Sequence, residues 1–296
     1  MIMPLSVNVN DYVHPFDEEA RRNLEAIPGF SLAVKTFLKL GYEKMLHGTN
    51  MASKIRLSST QIKDIYELLP PICEELGIVE PELYLEMNPA PNAYTFGDSI
   101  VSITLTSGLL QYLNTEEIKA VIAHECAHIA CRHVLYNTMA NLLLNGTSGI
   151  LGTLSIPIKL GLLYWSRRAE LSCDRAAAIV TNGSEQIINT MIRLSGGPKE
   201  ITDLVNIEEY ANQAIHYDKL LESKWDNLLQ SCAIMNLDHP FTTVRVHEIL
   251  KWTKENTFKT IMENKKIENE GLKCEQCGNP ISSSWIFCKN CGTKLR

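Results

Sequence analysis

Asn114-Thr115-Glu116-Glu117-Ile118-Lys119-Ala120-Val121-Ile122-Ala123-His124-Glu125-Cys126-Ala127-His128-Ile129 is the stretch on which the fold turns. Asn114 suits a helix N-cap, with Glu117 placed three residues on to complete a capping box. Ile118, Val121, Ile122, Glu125 and Ile129 then recur with helical spacing. Within that helix His124 and His128 stand at i and i+4. About 400° of helical rotation brings both imidazoles to one face, a turn apart, where they can share a metal ion. Glu125 between them is placed to take a proton from a water on the metal and return it to a leaving amine. The alternative is an ordinary amphipathic helix with two surface histidines.

A site of this kind needs a third protein ligand. The metzincin extension would require a glycine and a third histidine just downstream, where the chain has Cys131 and Val134; His133 comes one residue too early. The better candidate is Glu170, in Arg167-Arg168-Ala169-Glu170-Leu171-Ser172-Cys173-Asp174-Arg175-Ala176-Ala177-Ala178. Glu170 and Asp174 share a helical face, and the alanines beyond them suit close helix packing. By itself this pair would be a solvated carboxylate face. Combined with His124 and His128, Glu170 completes a His-His-Glu zinc site with a fourth position for water. Asp174 would accept the free ring N–H of a ligand histidine and fix its tautomer.

These segments resemble the gluzincin zinc peptidases that include HtpX and the type I CAAX prenyl endopeptidase, peptidase family M forty-eight. The resemblance spans roughly residues 55 to 252 and rests on four segments in the family's order. They are Pro91-Asn92-Ala93-Tyr94 with Ile103 to Leu110, then His124 to Ile129 with His133, then Glu170 with Asp174, and last His239-Pro240 with Arg245. Cys126 departs from the usual Leu or Ile. The resemblance implies an α+β, mostly helical fold with a small mixed sheet and an active-site helix. It further implies that His124, His128 and Glu170 bind zinc and that Glu125 is the general base. Asn92 and Ala93 would lie on an edge strand that takes an extended substrate as an added strand. His239 would stabilise the oxyanion or cap the metal in a resting state, and Arg245 would hold Glu170 or a nearby carboxylate. For His239 a plain Asp-His-Pro turn is the alternative.

A second metal signal lies at the C-terminus. Cys274-Glu275-Gln276-Cys277-Gly278 and Cys288-Lys289-Asn290-Cys291-Gly292 are two C-x-x-C-G knuckles separated by ten residues. Four thiolates make a closed tetrahedral site, which is structural because it leaves no position for substrate. A segment of about 23 residues cannot bury enough core to fold without metal. A four-cysteine zinc ribbon follows, with Trp285, Ile286 and Phe287 expected as its small core. The expected complement is two zinc ions, one catalytic and one structural. The ribbon is also a candidate surface for a protein partner or for self-association.

Composition points to the cytoplasm. Cys73, Cys126, Cys131, Cys173 and Cys232 are scattered singly, as thiols are in a reducing compartment, and the N-terminus shows no signal peptide. A net charge of −6 without a basic stripe argues against nucleic acid as a partner. Strands are expected at 83–87, 93–96 and 99–105, and helices over 17–46, broken at Pro28-Gly29, over 59–76, interrupted near Pro70-Pro71, and from 115 onward. The expected domains are an N-terminal helical segment (1–54), a metallopeptidase domain (55–253), a linker or helix extension (254–272) and the ribbon (273–296). Residues 134–158 carry no charge, but 12 of these 25 are Asn, Thr, Ser, Gly or Pro, so the stretch reads as buried helices and a loop over the active site. Membrane contact is the lesser alternative. The expected function is a zinc endopeptidase acting on extended or unfolded polypeptides. A non-catalytic peptidase-fold binding protein and a membrane-associated CAAX-type processing protease are the alternatives.

Overall fold

The structure, a computed structural model, describes residues 7–39, 41–144, 155–220, 241–271, 273–279, 281, 285–288 and 290–295. Its sheet comprises β1 (Ile55–Arg56), β2 (Glu82–Glu86), β3 (Ala93–Phe96) and β4 (Ser102–Thr106), in the order β1-β2-β4-β3. β2 and β4 run parallel, with Leu83 opposite Ile103, while β3 returns antiparallel on β4, with Ala93 opposite Leu105. Every residue of β4 is buried, as its branched Ile103, Thr104 and Thr106 suit. The two-residue β1 is too short to leave an alternation in the sequence, and no pattern there announces it.

Helices supply the rest. The N-terminal segment forms α1 (Val9–Tyr12), α2 (Pro15–Glu25), α3 (Phe30–Lys39) and α4 (Tyr42–Ser53). The break at Pro28-Gly29 falls where expected, with Gly29 at φ +85°. α5 (Lys63–Tyr66) and α6 (Leu69–Leu76) are separated just before Pro70-Pro71, where the interruption is expected, and the two prolines occupy the first turn of α6, where no backbone donor is lost. α7 (Ser107–Tyr112) leads from the sheet into α8 (Thr115–Ala130), followed by α9 (Val134–Leu144) and α10 (Ser155–Val180). Among the described residues, α11 (Glu185–Gly196), α12 (Lys199–Thr202), α13 (Ile207–Leu220), α14 (Thr242–Trp252) and α15 (Asn256–Gly271) precede the cysteine knuckles. Of the two readings of the charged stretch after residue 253, the helix extension is found. Lys265 of α15 pairs with Glu75 at 2.6 Å and donates to the Ile179 carbonyl at 2.7 Å. No helix of the described residues is long and apolar enough to cross a membrane.

α8 and α10 cross at the centre. Ala120, Ala123 and Ala127 on one and Ala176, Ala177 and Ala178 on the other are all fully buried, and small side chains let the helices approach closely. Two apolar clusters flank this crossing. One joins α8 and the second half of α10 to β2, β4, α6, α11 and α14 through residues such as Leu83, Ile103, Ile122, Ile188 and Trp252. The other packs Leu24, Phe30, Phe37 and Met139 around Leu162 and Trp165, so the N-terminal helices lie along the first half of α10. Gly161 permits that approach, because a Cβ there would stand 2.5 Å from Ile27 Cδ1.

The start of α8 is defined by the capping box. The Asn114 side chain accepts from Glu116 N and Glu117 N at 2.9 and 3.0 Å, and Glu117 Oε2 accepts from Asn114 N at 2.9 Å. Glu117 is buried and its other oxygen lies 3.4 Å from Arg193 Nε of α11. Asn114→Ala is expected to cost about 1 kcal/mol. In a thermal melt this should appear as a Tm lower by ~2–4 °C; an unchanged Tm would show that the cap does not contribute.

Candidate metal centres

α8 presents His124 and His128 one turn apart, and α10 presents Glu170 to both. His124 Nε2 lies 3.3 Å from Glu170 Oε2 and His128 Nε2 lies 3.4 Å from Glu170 Oε1. Zinc bonds of about 2.0–2.1 Å at tetrahedral angles place neighbouring ligand atoms about 3.3–3.4 Å apart, so two nitrogens and a carboxylate at these separations fit one zinc ion. All three side chains are buried.

The His124 side is held by α10 itself and by α14. His124 Nδ1 meets Asp174 Oδ1 at 3.0 Å. Arg245 of α14 then binds Asp174 through two nitrogens, Nε to Oδ2 at 2.8 Å and Nη2 to Oδ1 at 2.6 Å, while its Nη1 reaches Glu170 Oε2 at 3.0 Å. Burial alone would push the Asp174 carboxyl up, but Arg245 outweighs it and holds the group below its ordinary value. Burial likewise opposes a charge on Arg245, and Asp174 and Glu170 together keep the guanidinium firmly protonated.

The His128 side is built differently. α8 ends in a Schellman turn: Arg132 takes a left-handed φ of +61°, His133 N donates to His128 O at 2.8 Å, and Arg132 N to Ile129 O at 3.0 Å. The turn returns His133 beneath the ligand face, its Nδ1 3.2 Å from His128 Nδ1. Asn137 Nδ2 and Cys173 Sγ also lie 3.3 Å from that nitrogen. The far nitrogen of His133, Nε2, meets Asp17 Oδ2 of α2 at 3.0 Å. Cys173 groups with the two histidines by distance. Its sulfur, however, faces Nδ1 of His128, on the opposite side of the ring from Nε2, and burial pushes its thiol well up. It does not belong to the ligand set that faces Glu170.

Glu125 points from α8 toward the sheet. It is buried, and Thr95 Oγ1 of β3 donates to its Oε2 at 2.6 Å. β3 is the outer strand on its side of the sheet among the described residues. At its start Asn92 N donates to Thr106 Oγ1 at 2.8 Å and Thr106 N to Asn92 O at 3.0 Å, which anchors Asn92 and Ala93 against β4. His239 lies outside the described residues. Three residues that touch this constellation, Asp17, His133 and Thr95, escape the sequence reading as site residues. His133 leaves a weak signal, being five residues after His128, but nothing in the sequence ties Asp17 or Thr95 to the centre.

The C-terminal cysteines form the second centre. Cys274 Sγ is 3.6 Å from Cys291 Sγ, Cys277 Sγ is 3.7 Å from Cys288 Sγ, and all four sulfurs lie within 4.8 Å of one another. Zinc–sulfur bonds of about 2.3 Å give tetrahedral edges near 3.8 Å. The two knuckles share one backbone pattern: Gly278 N donates to Cys274 O and Gly292 N to Cys288 O, each at 2.8 Å, with the glycines at φ +69° and +72°. The Asn279 N–H draws negative charge onto Cys277, whose thiol falls to about 6. Of the expected apolar core, Trp285 is half-buried, while Ile286 is 40% and Phe287 55% exposed. So short a segment has too little volume to cover them, and the sulfur cluster takes the place of a core.

Comparison with known proteins matches two parts of the chain to known families. The sequence pattern of Peptidase family M48 matches residues 61–253, and that of a zinc-ribbon domain matches residues 270–295. The plastoglobule-localized metallopeptidase 48, chloroplastic, of Arabidopsis thaliana is 31% identical over 268 residues, which cover 87% of this chain and 76% of that protein. The protease HtpX of Legionella pneumophila is 26% identical over 214 residues, covering 62% and 74% of the two chains. No solved structure matches the chain significantly.

Arg245 offers a test of the site's construction. In zinc-free protein, Arg245→Met should cost ~3–5 kcal/mol by leaving two buried carboxylates uncompensated. Because Asp174 sits below its ordinary value in the folded protein, its contribution is present above about pH 4 and is lost as the pH falls through the lower, folded value. Urea denaturation at about pH 7 and about pH 3 should show the difference between wild type and variant shrinking in acid. A constant difference would mean that Arg245 acts through packing alone.

Proposed function

The chain belongs to Peptidase family M48 and is a zinc-dependent metalloprotease with a C-terminal zinc ribbon, and on that premise we propose that His124, His128 and Glu170 hold the catalytic zinc while Glu125 is the general base. The observation that carries this reading is the pair of distances, 3.3 and 3.4 Å, from the histidine Nε2 atoms to the two oxygens of Glu170. When bound, zinc supplies Lewis acidity toward a water and the scissile carbonyl. Glu125 takes a proton on its carboxylate from the attacking water and delivers it to the leaving nitrogen. Thr95 holds that carboxylate in place through Oε2.

Polypeptides are the substrates of this family, and we assign to this chain extended or unfolded ones, laid along β3 at Asn92 and Ala93. Pairing through the backbone reads little side-chain identity, which fits loose sequence preference. Asp174 orients His124, Arg245 fixes Asp174 and Glu170, and His239 stabilises the oxyanion or caps the metal at rest. Residues 55–253 form the peptidase unit, and Cys274, Cys277, Cys288 and Cys291 hold a second, structural zinc. The half-exposed Ile286 and Phe287 give that ribbon an apolar face for a partner protein or a second copy. A reducing, cytoplasmic location suits its thiolates, with membrane association at most peripheral.

Two measurements test this reading. Metal analysis should find about two zinc equivalents per chain, and about one in the Cys274→Ser, Cys277→Ser double variant; about one equivalent in the wild type would refute the two-site assignment. Glu125→Gln should retain zinc and Tm while cleavage of an unfolded substrate such as casein falls ~10²–10⁴-fold. Glu170→Gln should lose metal as well as rate. Thr95→Val, near-isosteric, should lower kcat about tenfold at unchanged zinc content, the worth of a charge-assisted hydrogen bond. Wild-type activity in Glu125→Gln would overturn the assignment of the base.

A further inference from the structure

The two ligand histidines are supported in unlike ways. A metal on Nε2 requires that the ring proton sit on Nδ1 and that Nδ1–H find an acceptor. For His124 the acceptor is Asp174, a carboxylate from the same helix as Glu170. For His128 no carboxylate is adjacent to Nδ1 among the described residues. That nitrogen faces His133 Nδ1 at 3.2 Å, the amide of Asn137 and the thiol of Cys173. An imidazole nitrogen can accept only when the proton of that ring is on the other nitrogen. The function of His128 therefore depends on what stands at His133 Nε2, and there the structure places Asp17 Oδ2 at 3.0 Å.

Every other described contact of the Asp17 carboxylate points a hydrogen atom toward it. Trp165 Nε1, which can only donate, binds Oδ1 at 3.1 Å. The Ser172 hydroxyl donates to Oδ2 at 2.6 Å, and its own lone pair receives the His14 backbone N–H at 3.0 Å. Backbone and indole N–H groups have no acceptor form, which fixes the polarity of this network for a carboxylate at Asp17 and a neutral ring at His133. Asp17 only accepts, and His133 must donate from Nε2. His133 Nδ1 then accepts from His128 Nδ1–H, which leaves His128 Nε2 as a lone pair aimed at Glu170. The Asn137 amide, whose nitrogen stands 3.3 Å from the same ring nitrogen, has an oxygen that meets no partner among the described residues, and exchanging the two would turn that oxygen toward the Nδ1–H.

We propose that Asp17, carried by the N-terminal helix α2, is a positioning residue of the metal centre that acts through His133 to set the tautomer of His128. This inference rests on His124, His128 and Glu170 being the zinc ligands, and it adds a part of the chain that lies outside the peptidase region of residues 61–253. It makes α2 part of the centre: the helix lies along α10, and Asp17 is 3% exposed.

Asp17→Asn tests the proposal with almost no change of shape. The indole must keep an acceptor, so the amide oxygen stays toward Trp165 and the amide nitrogen replaces Oδ2. An N–H group then faces His133 Nε2 and reverses the chain, which drives the His128 proton onto Nε2, where it blocks the metal. Zinc affinity of the full-length protein is measured by competition with a chromophoric chelator, with the tighter ribbon site as internal control. The expected result is a ~10–100-fold weaker labile site in Asp17→Asn, with an unchanged ribbon. His133→Phe cuts the same chain at its middle and should weaken the labile site to a similar extent. Adding Asp17→Asn to His133→Phe should then change affinity less than about twofold, since contacting residues in one network are not additive. An Asp17→Asn protein that folds and binds zinc within about twofold of wild type overturns the proposal, as does a full additional loss in the His133→Phe background. If Asp17→Asn does not fold, unweakened zinc binding by His133→Phe overturns it in the same way. His128→Ala separates this outcome from the ligand assignment: if that variant keeps the labile zinc, the proposed ligand set itself is wrong.

Discussion

Burying charge at the crossing of α8 and α10 is the constraint on which the rest of the structure depends. Glu125, Glu170 and Asp174 are each at most 5% exposed there, beside two buried histidines. Such carboxylates are costly away from water unless each is paired and hydrogen-bonded. The fold meets that cost with Arg245 from α14, which spans Asp174 and Glu170, and with Thr95 from β3, which donates to Glu125. The alanines that bring the two helices together set the depth of the site; the surrounding elements are placed to neutralise what that depth encloses.

The two sides of the centre differ in origin. His124, Glu170, Asp174 and Arg245 form a compact network whose members come from α8, α10 and α14. On the other side, the Schellman turn at Arg132 folds His133 back under His128 and hands the chain of contacts to Asp17 in α2. The N-terminal helices thus do more than cover apolar surface. Their second apolar cluster, around Trp165, fixes the position of the carboxylate that reaches His133. The peptidase region and the helices that precede it share a hydrogen-bond network as well as a core.

The ribbon obeys a different rule. Its two knuckles repeat the same backbone hydrogen bonds and the same left-handed glycines, and the sulfurs converge with almost no apolar burial around them. In so small a unit the sulfur cluster stands where a core would, and Ile286 and Phe287 beside it stay near the surface.

The sequence by itself determined what is local or stoichiometric in its chemistry. The capping box at Asn114, the i, i+4 pairs His124/His128 and Glu170/Asp174, and the paired C-x-x-C-G knuckles are periodicities of one helix or one turn, and these are legible because backbone geometry converts spacing directly into direction. The mixed sheet and the mostly helical class followed from the family that those patterns resemble. Only the tertiary structure decided which side chains from distant elements meet that centre. Asp17 stands 116 positions before His133 and belongs to an ordinary amphipathic helix, while Thr95 is one of many strand threonines. Their positions arise from packing, which brings a single oxygen within hydrogen-bond reach of a single nitrogen or carboxylate. Such a contact leaves no period in the chain, because nothing about the backbone at either residue requires it.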